Sequence, residues 1–350
     1  MMVSCTDWET RKPHHRASGG ADQVEFSAIS HGSSNLEAGL KDDRIADALD
    51  DLEVVDPLDV PDWAEADSQY DTATGSIGDE IQRRLGILGS SYPFQVRGNT
   101  IAYKQSRTLA YEFCLAVSQS PSLSQGEFKR LPQAFERLSR DVIRCYIGRG
   151  SEGYRTGWPK DKFEPRPTRF RDVVNELHKR TGEWHWCPGP RLPPNPGHQH
   201  LKDAGIDFVV WKPMPDGRKG QLFLLGQCAC GDDWTEKFYD IDLNKLKENW
   251  IRPLSAATPL RVFATPRHLP NDTEFAEINA SAGLTIDRAR IAVLAEHRDN
   301  RRFVTEQMKD PYAELIKLVI PDFEVCSRAR APRRQTAAGA RRSRSRGSGA

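Results

Sequence analysis

Two short apolar runs joined by a turn-forming stretch constrain this chain more than any other feature. Ile206 to Trp211 (IDFVVW) is rich in β-branched and aromatic residues, and Leu222 to Ala229 (LFLLGQCA) is a second apolar run. Between them KPMPDGRKGQ supplies Pro, Asp-Gly and Gly, which set turn dihedrals. The pattern predicts an antiparallel hairpin. Folded symmetrically about Gly217, it sets Trp211 opposite Phe223, Val209 opposite Leu225 and Asp207 opposite Gln227. Cross-strand partners share one face, with side chains about 5 Å apart. A carboxylate and an amide oxygen then converge at the outer end of the hairpin, where oxygen-seeking divalent cations could be held. A bulge in the loop would shift the register by one residue and separate them. A lone polar residue at a strand end ordinarily caps the strand or bonds to backbone, whereas two converging there favour a site.

The flanking segments place this hairpin in an α/β domain. From about Gln125 or Glu127 to Ile147 the residues Leu131, Phe135, Leu138, Val142 and Tyr146 recur at helical spacing. Thr108 to Ser118 is apolar on several sides and suits a buried helix, and Asp79 opens a short helix that Gly86 or Gly89 should end. Arg169 to Arg180 carries Phe170, Val173, Val174 and Leu177 on one face. Gly148 to Gly153 and the proline-rich Cys187 to His200 read as loops. After the hairpin, Gly231 to Trp250 reads as a helix with Trp234, Phe238 and Ile241 inward. Lys237, at the edge of that stripe, either reaches back towards the strand end or snorkels into solvent. Thr258 to Thr265 reads as a third strand, and Ala282 to His297 as a closing helix with Leu284, Ile291 and Leu294 inward.

Charge divides the chain into three parts. Lys plus Arg total 50 against 49 Asp plus Glu, which argues against a uniformly basic nucleic-acid binder. The balance conceals two polar ends. Asp42 to Asp71 holds twelve acidic residues and one basic residue, Arg44, while eight arginines and no acid follow Glu324. Residues 1–75 are therefore expected to form a disordered acidic arm, 76–326 the folded core, and 327–350 a disordered Arg-rich tail. The apolar fraction of 38%, below the roughly 45–50% of typical globular chains, agrees with unpacked ends. Weak attraction of the Arg tail to nucleic-acid phosphates is one role for it; plain solubility is the other. No apolar run is long enough to span a membrane, and the first twenty residues lack the apolar core of a secretory signal. Seven cysteines, an odd number, point to free thiols in a reducing cytoplasm.

These features together resemble the PD-(D/E)xK superfamily, the restriction-endonuclease-like fold, in which a helix precedes an antiparallel pair carrying catalytic acids, followed by a helix and a further strand. Phe135-Glu136 resembles the aromatic-Glu pair of the family's first helix. Asp207 in DAGIDFVVW matches the strand Asp, and Gln227 in LGQCACG matches the Glu, or Gln, of the second strand. The chain departs where the family expects Lys two residues later, since Ala229 stands there; Lys237 is the candidate replacement from the next helix. The likeness spans about Glu127 to Thr265, and its wording is similar to proteins of bacterial defence loci. It implies a mixed sheet flanked by helices, with an added N-terminal helical layer. It also implies Mg²⁺- or Mn²⁺-assisted phosphodiester hydrolysis of DNA. In that scheme Asp207, Gln227 and the carbonyl of Cys228 hold the metal. Glu136 holds a second metal or a water beside the first, and Lys237 orients the attacking water or stabilises charge on the phosphate.

Two other readings stand beside it. The first is an inactive module of the same fold that binds nucleic acid or a protein partner from a defence system, which the missing lysine at 229 favours. The second is a zinc site from His185, Cys187, His198 and His200 with Cys228 or Cys230. Its spacing fits no common zinc pattern, and such residues in a proline-rich loop are more often surface groups. No phosphate-binding glycine motif and no GxSxG hydrolase motif is present. Trp184-His185-Trp186 would either stack on bases or pack as a lid over the core.

Overall fold

A computed structural model describes residues 13–40, 63–159, 163–192, 202–307 and 311–325. The hairpin forms in the expected register. Strands β5 (Phe208–Lys212) and β6 (Leu222–Cys228) pair antiparallel, with Val209 opposite Leu225 and Trp211 opposite Phe223. Alternate residues serve opposite faces. Val209, Trp211, Phe223 and Leu225 enter one core with α5 (Phe170–Thr181), and Phe208, Val210 and Leu224 enter another with α4 (Arg130–Ile147). Both faces are covered, which is why these strands read as continuous apolar runs rather than alternating ones.

The hairpin is the middle of a five-stranded mixed sheet in the order β4-β5-β6-β7-β8. Strand β4 (Glu152–Arg155) pairs antiparallel with β5, while β7 (Leu260–Ala264) and β8 (Leu284–Ile286) continue from β6 in parallel. Strand β4 lies where glycines predicted only a loop; four residues with one apolar side chain, Tyr154, carry no readable period. The parallel connections need crossovers. The first crossover carries a 3₁₀ turn (Trp234–Lys237) and helix α6 (Leu243–Asn249), and the second is α7 (Asp272–Ala282).

The expected helix over Gly231 to Trp250 is thus broken in two. Asp242 caps α6, its side chain accepting from the backbone N–H groups of Asn244 and Lys245. Just before it, the Asp240 backbone lies so close to Gly205 that a Cβ there would be 2.8 Å from its carbonyl oxygen. The closing helix also differs. Leu284–Ile286 joins the sheet, and α8 (Arg288–Glu296) starts only after Asp287, whose side chain accepts from Arg290 N. Tyr146, assigned to the buried stripe of α4, is exposed on its last turn.

The arm expected to be disordered through residue 75 is helical over Pro13–His31 (α1), and α2 runs Trp63–Leu88, well ahead of its expected start at Asp79. A three-stranded sheet of β1 (Ser33–Asn35), β3 (Thr100–Tyr103) and β2 (Phe94–Arg97) packs beside them. The physical reason is that the acids of α1 are partners, not solvated charges. Asp22 pairs with Arg84 at 2.6 Å and with Arg288 at 2.7 Å. Glu25, fully buried, accepts from the hydroxyls of Tyr92 and Tyr111. Gly20 lets α1 approach α2, since a Cβ there would run into Ile77. Helices α3 (Ala110–Ser118), α9 (Arg301–Gln307) and α10 (Tyr312–Val319) close the molecule over α4 and α8. Residues 41–62 of the acidic arm and the Arg-rich tail 327–350 lie outside the described residues. Among the described residues no helix is long and apolar enough to cross a membrane.

Candidate active site

Asp207 sits one residue before β5, where three strands end together. Its N–H donates to Gly226 O at 2.8 Å, and its carbonyl accepts from the N–H groups of Thr156 and Gly157, both at 2.8 Å. Thr156 Oγ1 also donates to Ile206 O at 2.5 Å. The backbone of Asp207 is therefore gripped from the segments following β4 and within β6, and its side chain is aimed before any ligand arrives. One carboxylate oxygen, Oδ2, accepts from Cys228 N at 2.7 Å. The other, Oδ1, faces Gly157, where an added Cβ would stand 3.0 Å away.

That same Cβ would collide with Oε2 of Glu136, which α4 brings in from the neighbouring layer. Glycine at 157 thus keeps open a gap shared by two carboxylates. Gln227 completes the rim; it is buried, and its Oε1 has no hydrogen-bond partner. Lys237, the last residue of the 3₁₀ turn, lies 3.2 Å from Asp233 Oδ1. Glu136, Asp207, Gln227, Cys228 and Lys237 all line one open cavity of about 560 Å³, so the residues proposed from sequence are brought together. Ala229, at the position where lysine was expected, is fully buried in a different apolar cluster with Trp234 and Phe263.

The electrostatics are those of two buried carboxyl groups close to each other. Burial, then the neighbouring Glu136 and Asp203, push the Asp207 carboxyl well above its ordinary range. Burial raises Glu136 to about 7 although Arg155 opposes the shift. For Lys237, burial favours the neutral amine, but Asp233, Cys230 and Asp207 outweigh it and raise the pKa. A divalent cation held by the Asp207 and Gln227 side chains would satisfy the orphaned amide oxygen and stabilise the carboxylate form. The residues present therefore fit such an ion. Among the described residues no group of three or more His, Cys, Asp or Glu side chains is arranged to hold a metal ion. His185 packs against His178 with ring centroids 4.2 Å apart, and His198 and His200 of the zinc alternative lie outside the described residues.

Four residues that lie at the candidate site were not assigned to it from the sequence: Arg155, Gly157, Trp158 and Asp203. Arg155 Nε approaches Glu136 Oε2 to 2.5 Å, so the carboxyl expected to hold a second metal or a metal-bound water is also paired with a guanidinium. Asp203 Oδ2 accepts from Trp158 N at 2.9 Å and Oδ1 from Gly205 N at 3.1 Å, tying Trp158 to the cavity mouth. The Asp-Ala-Gly triplet at 203–205 is a readable turn signal for the second bond. Nothing in the local sequence announces the first. Comparison with family models, with curated proteins and with solved structures finds no match for this chain.

Proposed function

We propose that this protein is a divalent-cation-dependent nuclease that hydrolyses phosphodiester bonds of DNA. One observation carries the reading. Asp207 Oδ1 and Glu136 Oε2 flank the space that Gly157 leaves free, and Glu136, Asp207, Gln227 and Lys237 line one cavity, Gln227 with an unpartnered Oε1. The order of elements from α4 to β7 supports it: helix α4, strand β4, helix α5, the antiparallel pair β5 and β6, a helical crossover, then the parallel strand β7. With β4 and α5 set aside, that is the helix, antiparallel pair, helix and strand that the resemblance to restriction-endonuclease-like proteins implies.

Asp207, Gln227 and the carbonyl of Cys228 would hold Mg²⁺ or Mn²⁺. The bound ion supplies charge neutralisation at the phosphate and a more acidic water. Lys237 offsets negative charge that develops on the phosphate oxygens, and Asp233 keeps its ammonium in place. Trp158, whose backbone N–H is held by Asp203 and whose ring lies under the Arg166 guanidinium, lines the same cavity and would stack on a base. A role in bacterial defence, inside a reducing cytoplasm, belongs to the same proposal.

The second reading, an inactive nuclease-like module that binds nucleic acid or a defence partner, is favoured by one feature: Ala229 is packed in core where the family's lysine would stand. Cleavage of linear and circular DNA with Mg²⁺ or Mn²⁺, by wild type and Asp207→Asn, separates the two. A nuclease cuts, and the variant binds DNA without cutting. If neither protein cuts while both bind DNA, the binding module stands.

A further inference from the structure

We infer that Arg155 occupies the place of a second cation, so that the site takes a single divalent ion. The inference rests on the cation-dependent reading above and deepens it. Four carboxylates line the cavity, from Glu136, Asp203, Asp207 and Asp240. Both oxygens of Asp203 are used by backbone N–H groups, those of Trp158 and Gly205. Asp240 is exposed on the outer wall. One oxygen of Asp207 is used by Cys228 N. Among the described residues that line the cavity, this leaves Asp207 Oδ1, the unpartnered Gln227 and Glu136.

Glu136 is not free. Arg155 ends β4, is 1% exposed, and sets its Nε 2.5 Å from Glu136 Oε2. It is anchored twice more, by its pairing with Phe208 in the ladder and by Nη2 donating to Pro159 O at 3.0 Å. A guanidinium stays charged at any working pH, so it cannot step aside by losing a proton. A second divalent ion on Glu136 would face this fixed positive charge in a buried setting, where like charges repel most strongly. Glu136 therefore serves as counter-ion to Arg155. It acts on the chemistry by positioning, and one ion remains for Asp207, Gln227 and the Cys228 carbonyl.

The test counts ions on the full chain without nucleic acid, by titrating Mn²⁺ and reading free Mn²⁺ by electron paramagnetic resonance. Wild type should bind one ion, and Glu136→Gln should still bind one. Arg155→Met, which releases Glu136, should bind two, and Asp207→Asn none. Two ions on wild type, loss of the ion in Glu136→Gln, or a single ion in Arg155→Met would overturn the inference and leave the cation site standing. No ion on wild type would overturn the cation-dependent reading itself, and the inference with it. Should Arg155→Met fail to fold, as circular dichroism would show, the counts on wild type and on the isosteric Glu136→Gln still decide.

Discussion

At the scale of single residues, the site depends as much on an absent side chain as on those present. Gly157 does not adopt a left-handed conformation, so alanine suits its backbone; only the space is wrong. Gly157→Ala should therefore lose Mn²⁺ binding and cleavage while the protein still folds. Crowding is expected to cost about 1–3 kcal/mol of stability, measurable by urea unfolding. Asp207→Asn keeps shape and removes charge, and should lower cleavage at least about 100-fold, measured in single-turnover assays, with DNA binding retained. Glu136 carries a pH signature. Its folded pKa, about 7, lies above the ordinary 4.5, so the folded state prefers the proton. Its contribution to stability is full below pH 4.5 and is lost as pH rises through 7. In chelator-treated protein, unfolding free energy should fall between pH 5 and pH 8 by on the order of 2–3 kcal/mol. Glu136→Gln should reduce that slope, leaving the part that the raised Asp207 carboxyl contributes, and an unchanged slope would contradict the assignment.

At the scale of elements, what matters is where each one ends. The hairpin was readable because its apolar runs and turn residues define the register. Gly226 then lets it close tightly, since a Cβ there would enter the Phe208 ring. The 3₁₀ turn was not readable as such. Apolar spacing at Trp234 and Phe238 looks helical, yet the chain must pass against Gly205 at Asp240 and restart at the Asp242 cap. The consequence is functional, because the short turn leaves Lys237 on the cavity wall rather than along a helix face. Lys237→Met keeps the aliphatic stem and removes the ammonium. It should abolish most cleavage while the Mn²⁺ count stays unchanged, which separates a role on the phosphate from one in holding the ion. Equal loss of both would place Lys237 among the supports of the cation site instead.

At the scale of the whole molecule, a buried charge network joins the N-terminal layer to the sheet domain. Asp22 of α1 meets Arg84 of α2 and Arg288 of α8, and all three are buried. The two guanidiniums hold the Asp22 carboxyl well below its usual range despite its burial. Removing one partner of such a group leaves charge buried and uncompensated. Asp22→Ala should cost about 3–5 kcal/mol in urea unfolding, with the loss shared across both layers. A separate early transition for α1 and α2 would show instead that the layers unfold independently.

The sequence by itself determined the hairpin, its register and the main helices α4 and α5, because each follows from local periodicity and turn chemistry. Contacts between residues far apart in the chain decided the remainder. Acidic residues of α1 became ion-pair partners only once Arg84 and Arg288 were folded against them. Strand β8 existed only because β7 offered an edge for Leu284–Ile286 to pair with. Arg155 and Gly157 joined the site only when β4 was laid beside β5. Charge and small size have no period along a chain. Their meaning is set by what three-dimensional packing brings within a few ångströms.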